Sequence, residues 1–159
     1  MKKFLTAVLA LAMCFTAAVP AYASTINQDT PDPKNAKTEI TTSIAPTYTV
    51  SIPEDVDVEF NATQTQFGAI EITQAQIDPD KQIVVSITSG GALMNQTDNT
   101  KTLPYTIEDG NGEFTSAAYL AQGDKTDLTI NITENNWNAA YSGDYSDTVT
   151  FTVSYTDKA

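Results

Sequence analysis

From Thr47 onward, apolar and polar side chains alternate with a period of two. Tyr48, Val50 and Ile52 alternate with Thr47, Thr49 and Ser51 until Pro53 closes the run. Val56, Val58 and Phe60 alternate with Asp57 and Glu59. Ile83, Val85 and Ile87 share one face, with Val84 as an apolar exception on the other. Leu128, Ile130 and Ile132 alternate with Thr129, Asn131 and Thr133, and Val149, Phe151, Val153 and Tyr155 with Thr148, Thr150, Thr152 and Ser154. Such a rhythm sets one face of each strand in a core and the other in water. Threonine suits the wet face because β-branched side chains favour an extended backbone. Fainter strands are expected over Phe67–Ile72, Leu103–Glu108 and Glu113–Tyr119. Turn formers punctuate the runs at Asp78-Pro79-Asp80, Ser89-Gly90-Gly91, Asp109-Gly110-Asn111-Gly112, Gly123-Asp124 and Ser142-Gly143-Asp144. One short helical turn is expected at Asn135–Tyr141, where Trp137 and Tyr141 lie four apart. About seven to nine short strands in roughly 120 residues predict an all-β, immunoglobulin-like two-sheet β-sandwich. A closed barrel is the alternative.

The amino-terminal pattern is different. Lys2 and Lys3 precede an almost unbroken apolar run, Phe4–Val19, and Pro20 and Ala21-Tyr22-Ala23 follow. This predicts a signal peptide over residues 1–23. A spanning anchor would need about 20 apolar residues, and here a polar stretch follows at once. Leu11-Ala12-Met13-Cys14 has the outline of a lipoprotein box, but methionine suits the position before the cysteine poorly. Ser24–Lys37 carries one large apolar residue, two prolines and several turn formers, which predicts a disordered polar leader. The sandwich is expected over residues 38–157. Thr38–Ile44 reads first as the domain's own opening strand, and alternatively as a strand donated to a neighbour's open sheet edge.

Composition narrows the function. Loss of the signal peptide leaves roughly 136 residues, enough for one domain. It also removes the single cysteine, so no disulfide staples the fold. There is no histidine, and all eight basic residues are lysines against 20 acids, for a net charge of −12. Without Lys2 and Lys3 that becomes about −14. Six scattered lysines cannot follow a phosphate backbone, which excludes nucleic acid, and they oppose binding to anionic lipid. No stable membrane insertion is expected after leader cleavage. The charge favours solubility, cationic partners or Ca²⁺.

Lacking histidine, arginine and a mature cysteine, the chain cannot build the usual nucleophilic triads. Paired carboxylates could still hydrolyse a glycosidic bond, but most acids sit in turns where water keeps them ordinary. The expectation is a non-enzyme without a cofactor. Asp109, Asn111 and Glu113 recur through Gly110 and Gly112, and could direct three oxygens at one Ca²⁺. The same residues also make an ordinary hairpin turn. Tyr105, Tyr119, Trp137 and Tyr141 lie near expected strand ends, where aromatics either stack on sugars or pack inward.

The stretch Trp137-Asn138-Ala139-Ala140-Tyr141-Ser142-Gly143-Asp144-Tyr145 followed by Asp147-Thr148-Val149-Thr150-Phe151-Thr152-Val153-Ser154-Tyr155 resembles the last-strand pattern of secreted bacterial sandwiches. Spore coat protein U and fimbrial-subunit-like domains carry this pattern. It is also similar to the closing strand of WxL cell-wall-binding domains, although Phe151-Thr152-Val153 stands where the WxL tripeptide would be. The resemblance implies a surface or pilus-like module and transfers no functional residue. Physically, Ser142-Gly143-Asp144 allows a tight turn in which Gly143 takes a positive φ. The Tyr145 hydroxyl can then tie the corner back to the backbone, and Trp137 can plug one end of the sandwich. The expected function is a secreted, non-catalytic structural or adhesion module of the bacterial cell surface. Its partners would be other cell-surface proteins or cell-wall and host glycans. The alternative is a carbohydrate-binding module assisted by Ca²⁺.

Overall fold

The computed structural model describes residues 25–158. The signal peptide expected over residues 1–23, with Cys14, lies outside the described residues. Eleven strands and one short helix follow in chain order: β1 (Thr47–Ser51), β2 (Gln64–Gln76), β3 (Lys81–Thr88), β4 (Ala92–Asn95), β5 (Thr102–Pro104), β6 (Thr106–Asp109), β7 (Gly112–Glu113), β8 (Ser116–Tyr119), β9 (Lys125–Asn131), α1 (Glu134–Ala139), β10 (Tyr145–Ser146) and β11 (Thr150–Asp157). One layer is a five-stranded sheet in the order β1-β2-β9-β6-β7. The other comprises two three-stranded sheets, β11-β3-β8 and β10-β4-β5. All pairings are antiparallel.

The two-residue rhythm decides which side chains the layers enclose. Ile70, Ile72, Ile107, Leu128 and Ile130 come from the five-stranded sheet, and Ile83, Val85, Leu103 and Tyr119 from the other layer. Each fully buried aliphatic side chain is worth about 1.5–3 kcal/mol against exposure. The all-β sandwich expected from the pattern is therefore the observed fold class.

Strands are more numerous than the rhythm suggested because several long runs break. β3 continues through residues 89–91 into β4, and β10 through residues 147–149 into β11. Leu103–Glu108, expected as one strand, instead steps between layers. β5 pairs with β4, whereas β6 pairs with β9. Tyr105 stands at the step, where its N–H donates to the Gly91 carbonyl at 3.0 Å. Glu113–Tyr119 steps back the same way, from β7 to β8, with Phe114 buried between them. Bends of this kind let one strand serve two sheets.

Two expectations are corrected. Val56–Phe60 alternates like a strand but belongs to the unpaired connection between β1 and β2. Val56 and Val58 insert against the core, which satisfies their apolar surface without a ladder, while Phe60 is 80% exposed. Thr38–Ile44, read first as the opening strand, carries no strand and all its side chains are exposed. It falls within a separate unit, Met1–Ala45, and the sandwich unit is Pro46–Ala159. Within the described part of that first unit, Asn27 Oδ1 accepts from the Asp29 N–H at 2.9 Å. Lys34 Nζ donates to the Gln28 and Thr30 carbonyls, each at 2.8 Å.

Candidate functional site

The four aromatics singled out as a sugar platform do not form one. Tyr105 and Tyr119 belong to the core at 7% and 3% exposure, which leaves no free ring face for stacking. The Tyr119 hydroxyl meets Thr126 Oγ1 at 2.8 Å, and burial pushes its pKa upward. Trp137 is half-buried on α1 and fixed by two devices. Thr133, as N-cap, accepts the Asn136 N–H on its hydroxyl at 3.2 Å, satisfying a helix-end donor that would otherwise lack a partner. Trp137 Nε1 donates to the Ala62 carbonyl at 2.9 Å, and Phe60 meets the indole edge-on with ring centroids 5.7 Å apart. Trp137 thus packs partly buried against the core cluster. Tyr141 alone is open, at 63% exposure, with Lys101 Nζ 4.5 Å from its ring centroid.

The corner beside it follows the expected design. Gly143 has φ 141°, and the Tyr145 hydroxyl donates to the Tyr141 carbonyl at 2.9 Å. A Cβ at Gly143 would stand 2.5 Å from Asn95 Nδ2, so both the backbone and the neighbour demand glycine. Among the described residues, Asn95 at the end of β4 is the one buried polar residue. Its amide donates to the Ser142 carbonyl at 3.3 Å, and its Oδ1 accepts the Thr97 and Asp98 N–H groups at 2.9 and 3.0 Å. Nothing in the alternation marked Asn95. Its single polar letter inside the short run Ala92–Asn95, just after two glycines, was the signal available.

Asp109, Asn111 and Glu113 sit on the β6–β7 hairpin. Asp109 Oδ1 accepts the Asn111 N–H at 2.7 Å and so closes the turn. Among the described residues, no group of three His, Cys, Asp or Glu side chains is placed to hold a metal ion.

A different carboxylate accepts three hydrogen bonds. Asp147 lies in the gap between β10 and β11. Its Oδ2 accepts from the Tyr105 hydroxyl at 2.7 Å and the Gly90 N–H at 3.1 Å, and its Oδ1 accepts the Thr148 N–H at 2.8 Å. It thus ties the two broken columns of the second layer together. Burial, followed by the hydrogen bond to Asp147, pushes the Tyr105 hydroxyl up to about 12.

The outer edge of the second layer is β11, paired with β3 on one side only. Thr150–Thr156 contains no charged residue and no proline, and Thr152, Val153 and Ser154 are all exposed. Charge enters only at the end, where Lys81 Nζ donates to Asp157 Oδ1 at 2.6 Å. That ion pair raises the Lys81 value and lowers that of Asp157. Comparison with known protein families and with curated proteins finds no match to this chain.

Proposed function

We propose that the chain is an exported, non-catalytic structural or adhesion module of the bacterial cell surface, which joins other surface proteins along its open β11 edge. The observation that carries this reading is the uncharged, proline-free edge over Thr150–Thr156. Sandwich proteins usually blunt such edges with lysine, proline or bulges, because a bare row of backbone donors and acceptors recruits another strand. Strand addition draws affinity from the main chain and specificity from alternate side chains, and an edge of eight residues is long enough for both. The apolar run Phe4–Val19 with Ala21-Tyr22-Ala23 supports export. The absence of histidine and arginine from the sequence supports a non-catalytic role. The carbohydrate-binding alternative loses ground because Tyr105 and Tyr119 are core residues.

The test is retention of the full chain, expressed with its leader, on bacterial cell walls before and after the walls are stripped of protein by protease. Binding should depend on wall protein and fall at least tenfold in T152K/S154K, which places charge on the edge without touching the core. Binding that survives protease treatment and disappears in W137A would instead establish the glycan reading.

A further inference from the structure

Between the two layers, beside the β1–β2 connection, lies a cavity of about 380 Å³, within the size range of small-molecule sites. Its walls are apolar and aromatic. Phe67 and Phe151 face each other with centroids 6.0 Å apart, and Tyr105 forms part of the floor. Pro53 is held against the bulge of β2, where Gly68 has φ 126° and a Cβ would stand 3.1 Å from Pro53 Cβ. The β1–β2 connection, anchored there, supplies Val56 and Val58 to one wall and Glu54 and Asp55 to the rim. Asp147 is the third carboxylate of the lining, and no lysine contributes to it.

We infer that this cavity is a binding site for a small amphipathic cation, an ammonium head on a short apolar body. Three observations agree on that chemistry. The apolar walls suit a hydrocarbon body. The half-buried rings of Phe67 and Phe151 are part of the lining, and aromatic rings attract cations. Three carboxylates with no competing lysine make the site anionic. An anionic or sugar-like ligand would meet the same groups as repulsion or as unpaired polar surface. Asp147 is already satisfied by Tyr105, Gly90 and Thr148, so it contributes charge, whereas Glu54 and Asp55 are exposed and available to meet the head group.

The experiment is isothermal titration of the full chain with octyltrimethylammonium, octanol and octyl sulfate, all below micelle-forming concentrations. The cation should bind saturably, at least tenfold more tightly than octyl sulfate, and octanol should fall between them. E54Q/D55N, which changes only exposed rim groups, should weaken the cation at least threefold, in line with the modest strength of exposed charge pairs. E113Q/E134Q, which removes two acids outside the lining, should leave it unchanged. Absence of saturable cation binding at millimolar concentration would overturn the proposal. So would equal binding of octyl sulfate, or equal weakening by both double variants, since the last would show general attraction to an acidic surface. The outcome is independent of whether T152K/S154K alters wall retention.

Discussion

At the scale of single residues, the polar side chains that matter most are those the two layers enclose. Tyr105 and Asp147 are 42 positions apart in sequence, and no local pattern joins them. Their contact exists because a strand changes layers at Tyr105 and a second strand breaks at Asp147. The pH consequence follows from the direction of the Tyr105 shift. Its hydroxyl is raised to about 12 from the ordinary 10.0, so the fold prefers the neutral phenol. The stability it contributes is complete below pH 10 and is lost as pH rises through the interval from 10 to 12. Tyr119 is also raised by burial and erodes stability in the same direction. In urea denaturation, the wild type should therefore lose more stability between about pH 9 and pH 11 than Tyr105→Phe, which has no proton to release there. Equal losses in the two proteins would show that Tyr105 ionises as readily folded as unfolded.

At the scale of elements, the helix is short enough that its cap should decide whether it forms. Six residues are far below the length at which an isolated helix persists in water. Thr133→Ala removes the acceptor for the Asn136 N–H and should cost about 1 kcal/mol. Because α1 carries Trp137, tryptophan emission should shift to the red and its quenching by acrylamide should rise. An unchanged emission would mean that the indole is held by Ala62 and Phe60 alone. The same elements show what the sequence made legible. Alternation over Ile83–Ile87 and Leu128–Ile132 marked real strands because each buries one face against the opposite layer, and Val149–Tyr155 marked one whose apolar face is only partly covered, with Val153 exposed. The corner at Gly143 and Tyr145 was legible because turn chemistry is local. Val56–Phe60 misled for a physical reason: a connection that threads apolar side chains into a gap alternates as a strand does, yet has no partner for its backbone. The layer changes at Tyr105 and Phe114 were illegible, since period two is unbroken when a strand bends from one sheet to another. The aromatic platform failed on the same ground. Tyr105 and Tyr119 are near strand ends as expected, but those ends point inward, and the carboxylate that meets Tyr105 was visible only as one acid among many.

At the scale of the whole molecule, 20 acidic residues against eight lysines make the fold repel itself. Among the described residues, three lysines make ion pairs, Lys34 with Asp32, Lys81 with Asp157 and Lys125 with Asp127, and all three pairs are largely exposed. Such pairs are worth little individually, so they do not offset the excess of negative charge. Dissolved salt does, by screening at distances beyond the Debye length. Raising NaCl from about 0.02 M to about 0.3 M should increase the melting temperature by roughly 2–5 °C, as weaker self-repulsion favours the compact state. The choice of cation then separates screening from binding. Asp109 already closes its own hairpin by accepting the Asn111 N–H at 2.7 Å, and the hairpin is a complete turn without an ion. CaCl₂ at matched ionic strength should therefore stabilise the protein no more than NaCl does. A further rise that grows with the logarithm of Ca²⁺ concentration and vanishes in D109N would show instead that Asp109 holds the ion, because ligand binding to the folded state alone adds stability in that proportion.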